Sequence, residues 1–436
     1  MTLASTHSHY FELTARASHV AGAAHTNFPV LVTEQWLTAA QRTSLFGTAR
    51  SDGADFRFAG SSDGTTQYAF ELIAYDNSLN TFIAWVLVPA LSGVSDTHFY
   101  LFVGDPDASL PAASAANGRA SVWADYDAVY HGQSLTNAAS ATGLGDLTAV
   151  GSPQFNQSPI TTGGRFQISA GNYYESVGYT PLLGPGDKTI CAAIDLAASP
   201  PASARGILNI GPNTTAGGRL TYFVQAATGY LALAVRSDTI LSSSAVPAQV
   251  RTAFVYDGSE SVNASLYTDG SVHTSDTLND VDTLAGSEFR LGRQQSTLDF
   301  DGFLSEIWLR PSAVSGDWLA TEHANQSNPG AFGFAGDMQS TSSDISLSIP
   351  AASAAFDLAP APALLSVAAH SLALPAALIE ISSAPTVTAQ SVLPPDIAVS
   401  DIVISWAAAP SIGGTFAPTP RVYAARRSSR TLLPRP

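Results

Sequence analysis

Residues 289–332, FRLGRQQSTLDFDGFLSEIWLRPSAVSGDWLATEHANQSNPGAF, decide the fold. Phe289 and Leu291 alternate with polar neighbours. Phe303, Ile307 and Leu309, with Leu304, Glu306 and Trp308 between them, give a period of two, which predicts strands with one face on a core. Asp301-Gly302 supplies a turn, Pro311 ends the strand, and Asp317 is placed to cap a short helix that carries Trp318 and Leu319 inward. Asn325-Gln326 and Asn328-Pro329-Gly330 close it.

Working outward, FVYDGSESVNASLYTDG (Phe254 to Gly270) holds two Asp-Gly turns at hairpin spacing, Asp257-Gly258 and Asp269-Gly270. SVWADYDAVYHGQSLTNAASATGLGDLTAVGSPQF (Ser121 to Phe155) places a Trp and a Tyr-His strand before a glycine-rich connection. From Ser121 to Phe334 these stretches resemble a laminin-G-like, concanavalin A-like jelly roll. That resemblance implies a module that binds or spaces more often than it catalyses.

The first ~115 residues read as a separate antiparallel sandwich, because FPVLV, DFRFAG, QYAFELIAYD, TFIAWVLVP and HFYLFVG are short β-rich runs separated by turn residues. Four segments are similar to the bacterial and phage domain of unknown function 2341: Phe28 to Val32, Asp52 to Phe58, Ala84 to Leu91 and Phe99 to Pro106. In that family the domain commonly precedes a laminin-G-like module, the order found here. An Ala-Ser-rich run from Leu110 to Asn117 links the two. The expected organisation is all-β: a sandwich over 1–115, a jelly roll over 116–335, and an extended β-rich arm over 336–436.

The arm changes character. No Lys or Arg occurs between Arg310 and Arg421, and apolar alternations such as ISLSI and IAVSDIVISW are broken by prolines, which forbid a long helix. These alternations carry too much apolar surface to stay wet, so the arm is expected to pair with other chains. Its end holds the basic residues Arg421, Arg426, Arg427 and Arg430, read either as a solvated tail or as an assembly contact with an acidic patch.

Composition excludes some functions. A net charge of −16 with a single lysine, Lys188, argues against phosphate-backbone binding, so no nucleic-acid partner is expected. No run of ~18 uninterrupted apolar residues is present, so no membrane insertion is expected. The single cysteine, Cys191, excludes an internal disulfide framework and reads as a small buried apolar residue. The start lacks a secretory pattern, and release within a virus particle is the expected route, with a bacterial surface or extracellular location as the alternative.

A glycoside hydrolase needs two carboxylates about 5 to 10 Å apart. Asp299-Phe300-Asp301 is the nearest approach, and the turn explains it, so no enzyme is expected. His7, His9, His19 and His25 sit at metal-ligand spacing but read as exposed terminal histidines. Asn172, Tyr173, Tyr174 and Glu175 offer the aromatic-plus-polar mix of a glycan site, with core packing of the tyrosines as the rival reading. The laminin-G resemblance implies a rim calcium, for which Asp269, Asp299 and Asp301 are the candidate ligands; no other cofactor is expected. Together these readings predict a non-enzymatic phage virion or tail-fibre-type protein contacting other virion proteins, copies of itself and a host-surface glycan. A bacterial glycan-binding protein is the alternative, and a glycoside hydrolase the third.

Overall fold

The computed structural model describes residues 2–155, 164–212, 218–235, 238–285, 289–294 and 298–341, together with the strands Asp344–Ser348, Leu364–Ala368, Thr386–Gln390, Ile402–Ala407 and Tyr423–Ala425. The chain divides into two units, Met1–Gln339 and Ser340–Pro436. The architecture is all-β and antiparallel, as expected, with two sandwiches in the first unit.

In the amino-terminal sandwich one sheet runs in the order Gly333–Ala335, His9–Ala15, Thr97–Val103, Arg57–Ala59, Gln67–Tyr68, and the other is Ala24–Thr33, Thr81–Ser92, Phe70–Asp76. The five runs read from the sequence fall on these strands. Alternating Phe11, Leu13, Phe99 and Leu101 from the first sheet meet Phe28, Val30, Val86 and Val88 from the second. A helix, Ala39–Thr48, escaped the sequence reading although its signature is present: Thr38 Oγ1 accepts from Gln41 N while Gln41 Oε1 accepts from Thr38 N.

The jelly roll pairs two larger sheets. One has the order Phe166–Ile168, Gly302–Arg310, Lys188–Leu196, Gln249–Tyr256, Ala264–Thr268, Ser271–Asp276, with Ala128–Tyr130 also on Gly302–Arg310. The other runs Thr239–Ala245, Tyr230–Val235, Leu220–Val224, Arg205–Ile210, Phe289–Leu291, Tyr173–Ser176, Thr148–Val150. Between them lies a dry interior in which Ile190, Phe254 and Leu304 pack with Leu208, Leu233 and Leu291 in one core. Fully burying each such side chain contributes roughly 1.5–3 kcal/mol. The hairpin at Asp269-Gly270 takes positive φ at both residues (49° and 77°), the conformation that makes Asp-Gly the natural choice there.

The period of two expected for the strand Gly302–Arg310 does not survive. Its pairing with Lys188–Leu196 shifts register between Cys191 and Ala193, where Glu306 takes φ 46°. The extra residue flips the faces. Leu304 therefore joins Ile307 and Leu309 in the interior, and Phe303 turns outward beneath the Arg165 guanidinium, 4.1 Å from its ring centroid. Gly302 is a corner: a Cβ there would lie 2.0 Å from the Asp195 carbonyl oxygen.

The two sandwiches share a core. The outward face of the jelly-roll sheet contributes Cys191, Ala253, Val255 and Trp308 to the cluster that holds Phe28 and Trp85. The helix Gly316–Ser327 wedges in with Trp318 and Leu319 buried, as expected, but its cap is Ser315, whose Oγ accepts from Trp318 N at 3.1 Å, with Asp317 in the first turn. A belt of rings marks the seam: Trp85, Trp123, Tyr126, Trp308, Trp318 and Phe28 follow one another at centroid spacings of 4.9–5.5 Å. Strand Gly333–Ala335 then returns to the first sandwich, with Leu13 opposite Ala335.

In the second unit Asp344–Ser348 pairs with Thr386–Gln390, and Ile402–Ala407 pairs with both Leu364–Ala368 and Tyr423–Ala425, all antiparallel. Arg421, Arg426, Arg427 and Arg430 lie outside the described residues.

Candidate functional site

The seam between the sandwiches carries ionised groups that the sequence did not single out as a cluster. Glu71 lies on the edge strand Phe70–Asp76, beside an irregularity where Leu72 and Ala74, but not Ile73, find partners on Thr81–Ser92. Glu306 sits in the bulge of Gly302–Arg310. Each carboxylate is thus aimed by a local break in a ladder, the usual way a strand redirects one side chain. His131, just beyond the strand Ala128–Tyr130, stands between them: Nδ1 lies 2.8 Å from Glu306 Oε2 and Nε2 lies 3.2 Å from Glu71 Oε2. Trp123 Nε1 donates to the same Glu71 oxygen at 2.6 Å, and the imidazole stacks on Trp85 at 6.1 Å.

With a carboxylate oxygen at each nitrogen, both ring nitrogens are required as donors, which only the imidazolium provides. Burial opposes the charge, but Glu306 and Glu71 outweigh it and raise the His131 pKa to about 10. His131 is 7% exposed and Glu306 3%, so this is an ion triad held inside the protein.

A cleft of about 360 Å³ opens over Glu71 and His131. Half-buried Leu72 and Ile73 form its apolar side, while Arg119, Gln133, Ser134 and Thr136 supply donors and acceptors. Arg119 is fixed by its Nη1, which donates to the carbonyls of Asn137 and Ala138 at 3.2 and 3.3 Å. Such an arrangement can seat a small polar body with one apolar face.

A second buried cluster lies along the same strand. Glu322 of the helix accepts from Trp308 Nε1 (2.6 Å), Gln326 Nε2 (3.0 Å) and Arg251, whose Nη1 donates to Gln326 Oε1 at 2.5 Å. Cys191 Sγ is 3.8 Å from Glu322, and burial pushes the thiol pKa well up, in keeping with an inert buried side chain.

The residues singled out from sequence are distributed differently from that expectation. Tyr174 is fully buried, its ring on Phe166 and its hydroxyl donating to Gln154 O at 2.7 Å. Tyr173 faces outward, but Arg293 lies 4.0 Å over its ring and leaves it 9% exposed. Asn172 is bound by Ser152 N and Ser169, and Glu175 faces Arg290 at 3.7 Å. The run therefore presents no open ring, because core packing claims one tyrosine and an arginine covers the other.

The three aspartates are also dispersed among separate partners. Asp269 accepts from Arg251 N, Asp299 from Arg293 and Gly171 N, and Asp301 from Arg205. Among the described residues no group of three His, Cys, Asp or Glu converges as a metal would require. His7 and His25, expected to be exposed, are buried, with Nε2 2.9 Å from Asp55 O and from Thr321 Oγ1 respectively. Two signals could have found the seam from sequence. Trp318, Glu322 and Gln326 recur every four residues on one helix face, and Glu71, His131 and Glu306 each sit within a run of apolar β-formers.

No family model matches the chain and no curated protein matches it, so the two family resemblances rest on the quoted residues. Among solved structures, domain 4 of AbnA, a GH43 extracellular arabinanase from Geobacillus stearothermophilus in complex with arabinotriose, is 17% identical. It covers 46% of this chain and 98% of its own, with a TM-score of 0.37. The botulinum neurotoxin serotype D binding domain is 11% identical over 48% of this chain, at a TM-score of 0.35; the chain spans 52% of that domain's length. The Ruminococcus gnavus IT-sialidase CBM40 bound to α2,3 sialyllactose is 14% identical over 36% of this chain and 97% of its own, at 0.29. The chain is thus similar, remotely, to β domains whose names describe saccharide or receptor binding, and at these scores no ligand or residue role carries over from them.

Proposed function

We propose that the chain is a non-enzymatic adhesion component of a bacteriophage particle, and that the seam cleft makes its glycan contact. The observation that carries this reading is the position of His131. A glycosidase needs its two carboxylates free, with the glycosidic bond or a water between them. Here the imidazole fills that space, with a ring nitrogen 2.8 Å from Glu306 and 3.2 Å from Glu71, and ties up an oxygen of each. What remains is a polar cleft without a free acid–base pair. The apolar side at Leu72 and Ile73 suits the face of a pyranose, and Arg119, Gln133, Ser134 and Thr136 suit its hydroxyls. Many weak contacts of this kind become firm attachment when copies are displayed together. The carboxyl unit supports display: its described strands form two-stranded and three-stranded sheets, whose outer strands offer edges for pairing with other chains.

The test is saccharide binding by the intact chain on a glycan array and by calorimetry, with antibody labelling of purified particles. Arg119→Ala and Gln133→Ala are expected to weaken binding at least tenfold without changing the unfolding midpoint. Turnover of a bound polysaccharide, abolished by Glu71→Gln or Glu306→Gln, would overturn the reading. So would labelling confined to a cell envelope.

A further inference from the structure

One cation of the seam cleft has no counter-charge. Arg119 lines the cleft, and its Nη1 is held by the carbonyls of Asn137 and Ala138 at 3.2 and 3.3 Å. That anchor restrains the plane of the guanidinium. Nε and Nη2 have no partner among the described residues, so two parallel N–H donors remain along one edge. Arginines of the jelly roll meet carboxylates: Arg165 meets Asp195, Arg251 meets Glu322, Arg293 meets Asp299 and Arg310 meets Asp125. Arg119 meets none among the described residues, although Glu71 lines the same cleft. Glu71 is drawn toward the seam instead, where its Oε2 accepts from both Trp123 and His131. Two donors thus already offset the charge of Glu71, while that of Arg119 stands unanswered.

We propose that the cleft recognises an acidic saccharide, with the carboxylate of a hexuronic acid unit received side by side on Arg119 Nε and Nη2. This inference rests on the reading of the cleft as a glycan site and names the class of glycan. The guanidinium edge matches a carboxylate with two parallel hydrogen bonds, and such charge-assisted bonds are about twice as strong as neutral ones. A single neutral hydroxyl meets only one of the two donors and gains less from the same edge. Gln133 and Thr136, whose side chains have no partner among the described residues, serve the ring hydroxyls, and Leu72 and Ile73 serve its apolar face. A phosphate fits less well, because its second negative charge would face Glu71 where a carboxylate brings only one.

The experiment titrates the intact chain with methyl β-glucuronide, its uncharged methyl ester, methyl β-glucoside and inorganic phosphate, read by calorimetry near neutral pH. The glucuronide is expected to bind about tenfold more tightly than either uncharged sugar, and added salt is expected to narrow that gap. Arg119→Lys keeps the charge without the fork and is expected to lose most of the preference for the acid; Arg119→Gln is expected to lose all of it. The comparison of acid with ester is made on the unaltered protein, so it holds whatever either substitution does to the loop that Arg119 ties down. Equal binding of the glucuronide and its ester, or preference for the glucoside, would overturn the acidic assignment and leave the cleft as a site for neutral glycans. Tighter binding of inorganic phosphate than of the glucuronide would overturn it in favour of a phosphate. Absence of binding by all three sugars would overturn the assignment together with the glycan reading of the cleft.

Discussion

The interior of the jelly roll and the seam between the sandwiches are both buried, yet they are built from different chemistry. The interior is almost wholly aliphatic and aromatic, from Ile190 and Leu208 to Leu233 and Leu291. The seam combines a belt of rings with His131, Glu71, Glu306, Arg251 and Glu322. Apolar packing stabilises without much regard to exact partners, whereas a buried ion tolerates only the arrangement that supplies its counter-charge. The interior thus holds the fold together. The seam fixes how one sandwich meets the other, and its polar groups border open clefts.

Removing one seam ion should therefore cost most. Glu322→Ala removes the carboxylate that balances the Arg251 guanidinium and accepts from the Trp308 N–H, and is expected to cost about 3–5 kcal/mol, read from urea unfolding. Leu233→Ala in the interior should cost about 2–5 kcal/mol, set by the cavity it leaves. If the leucine change proved far more damaging than the glutamate change, the seam would be no more demanding than ordinary packing.

A pH titration sharpens the contrast. The folded pKa of His131 stands near 10 against 6.5 for the free side chain, so its stabilisation is complete below pH 6.5 and is lost as pH rises through about 10. Lys188 acts in the opposite sense. Its ammonium is buried against the carbonyls of Gly184 and Gly186, and desolvation outweighs nearby aspartates to lower it to about 8, so stability is regained as pH rises from about 8 to 10.5. Unfolding midpoints should fall from pH 6.5 upward, and the fall should steepen in Lys188→Met. A flat profile in both proteins would remove the charged imidazole from the account. Smaller still is Ser315→Ala, which deletes the cap of the wedge helix and should cost about 1 kcal/mol. The smallest change is expected at Leu79, 73% exposed, where Leu79→Ser should stay within about 0.5 kcal/mol.

The sequence was most legible where local pattern and tertiary role agree. The runs from FPVLV to HFYLFVG became strands, Asp269-Gly270 became a tight turn, and Trp318 and Leu319 went inward. It misled where a single residue changes face: the bulge at Glu306 exchanged Phe303 for Leu304, and an arginine covers Tyr173 in the run offered as a glycan site. The seam ions were least legible. A glutamate in a strand reads as a solvated side chain unless its counter-charge is known, and the partners of Glu306 and Glu322 lie up to 175 residues away.

The amino-acid sequence alone determined the all-β class, the strand runs, the turns, and the burial of Cys191, because each follows from side-chain period, turn chemistry or hydrophobicity within a short window. Only the tertiary structure decided that His131 is charged, that one oxygen of Glu306 lacks a donor, and that the aspartates taken as metal ligands serve separate partners. Electrostatic character depends on distance through space and on exclusion of water, and neither is encoded by spacing along the chain.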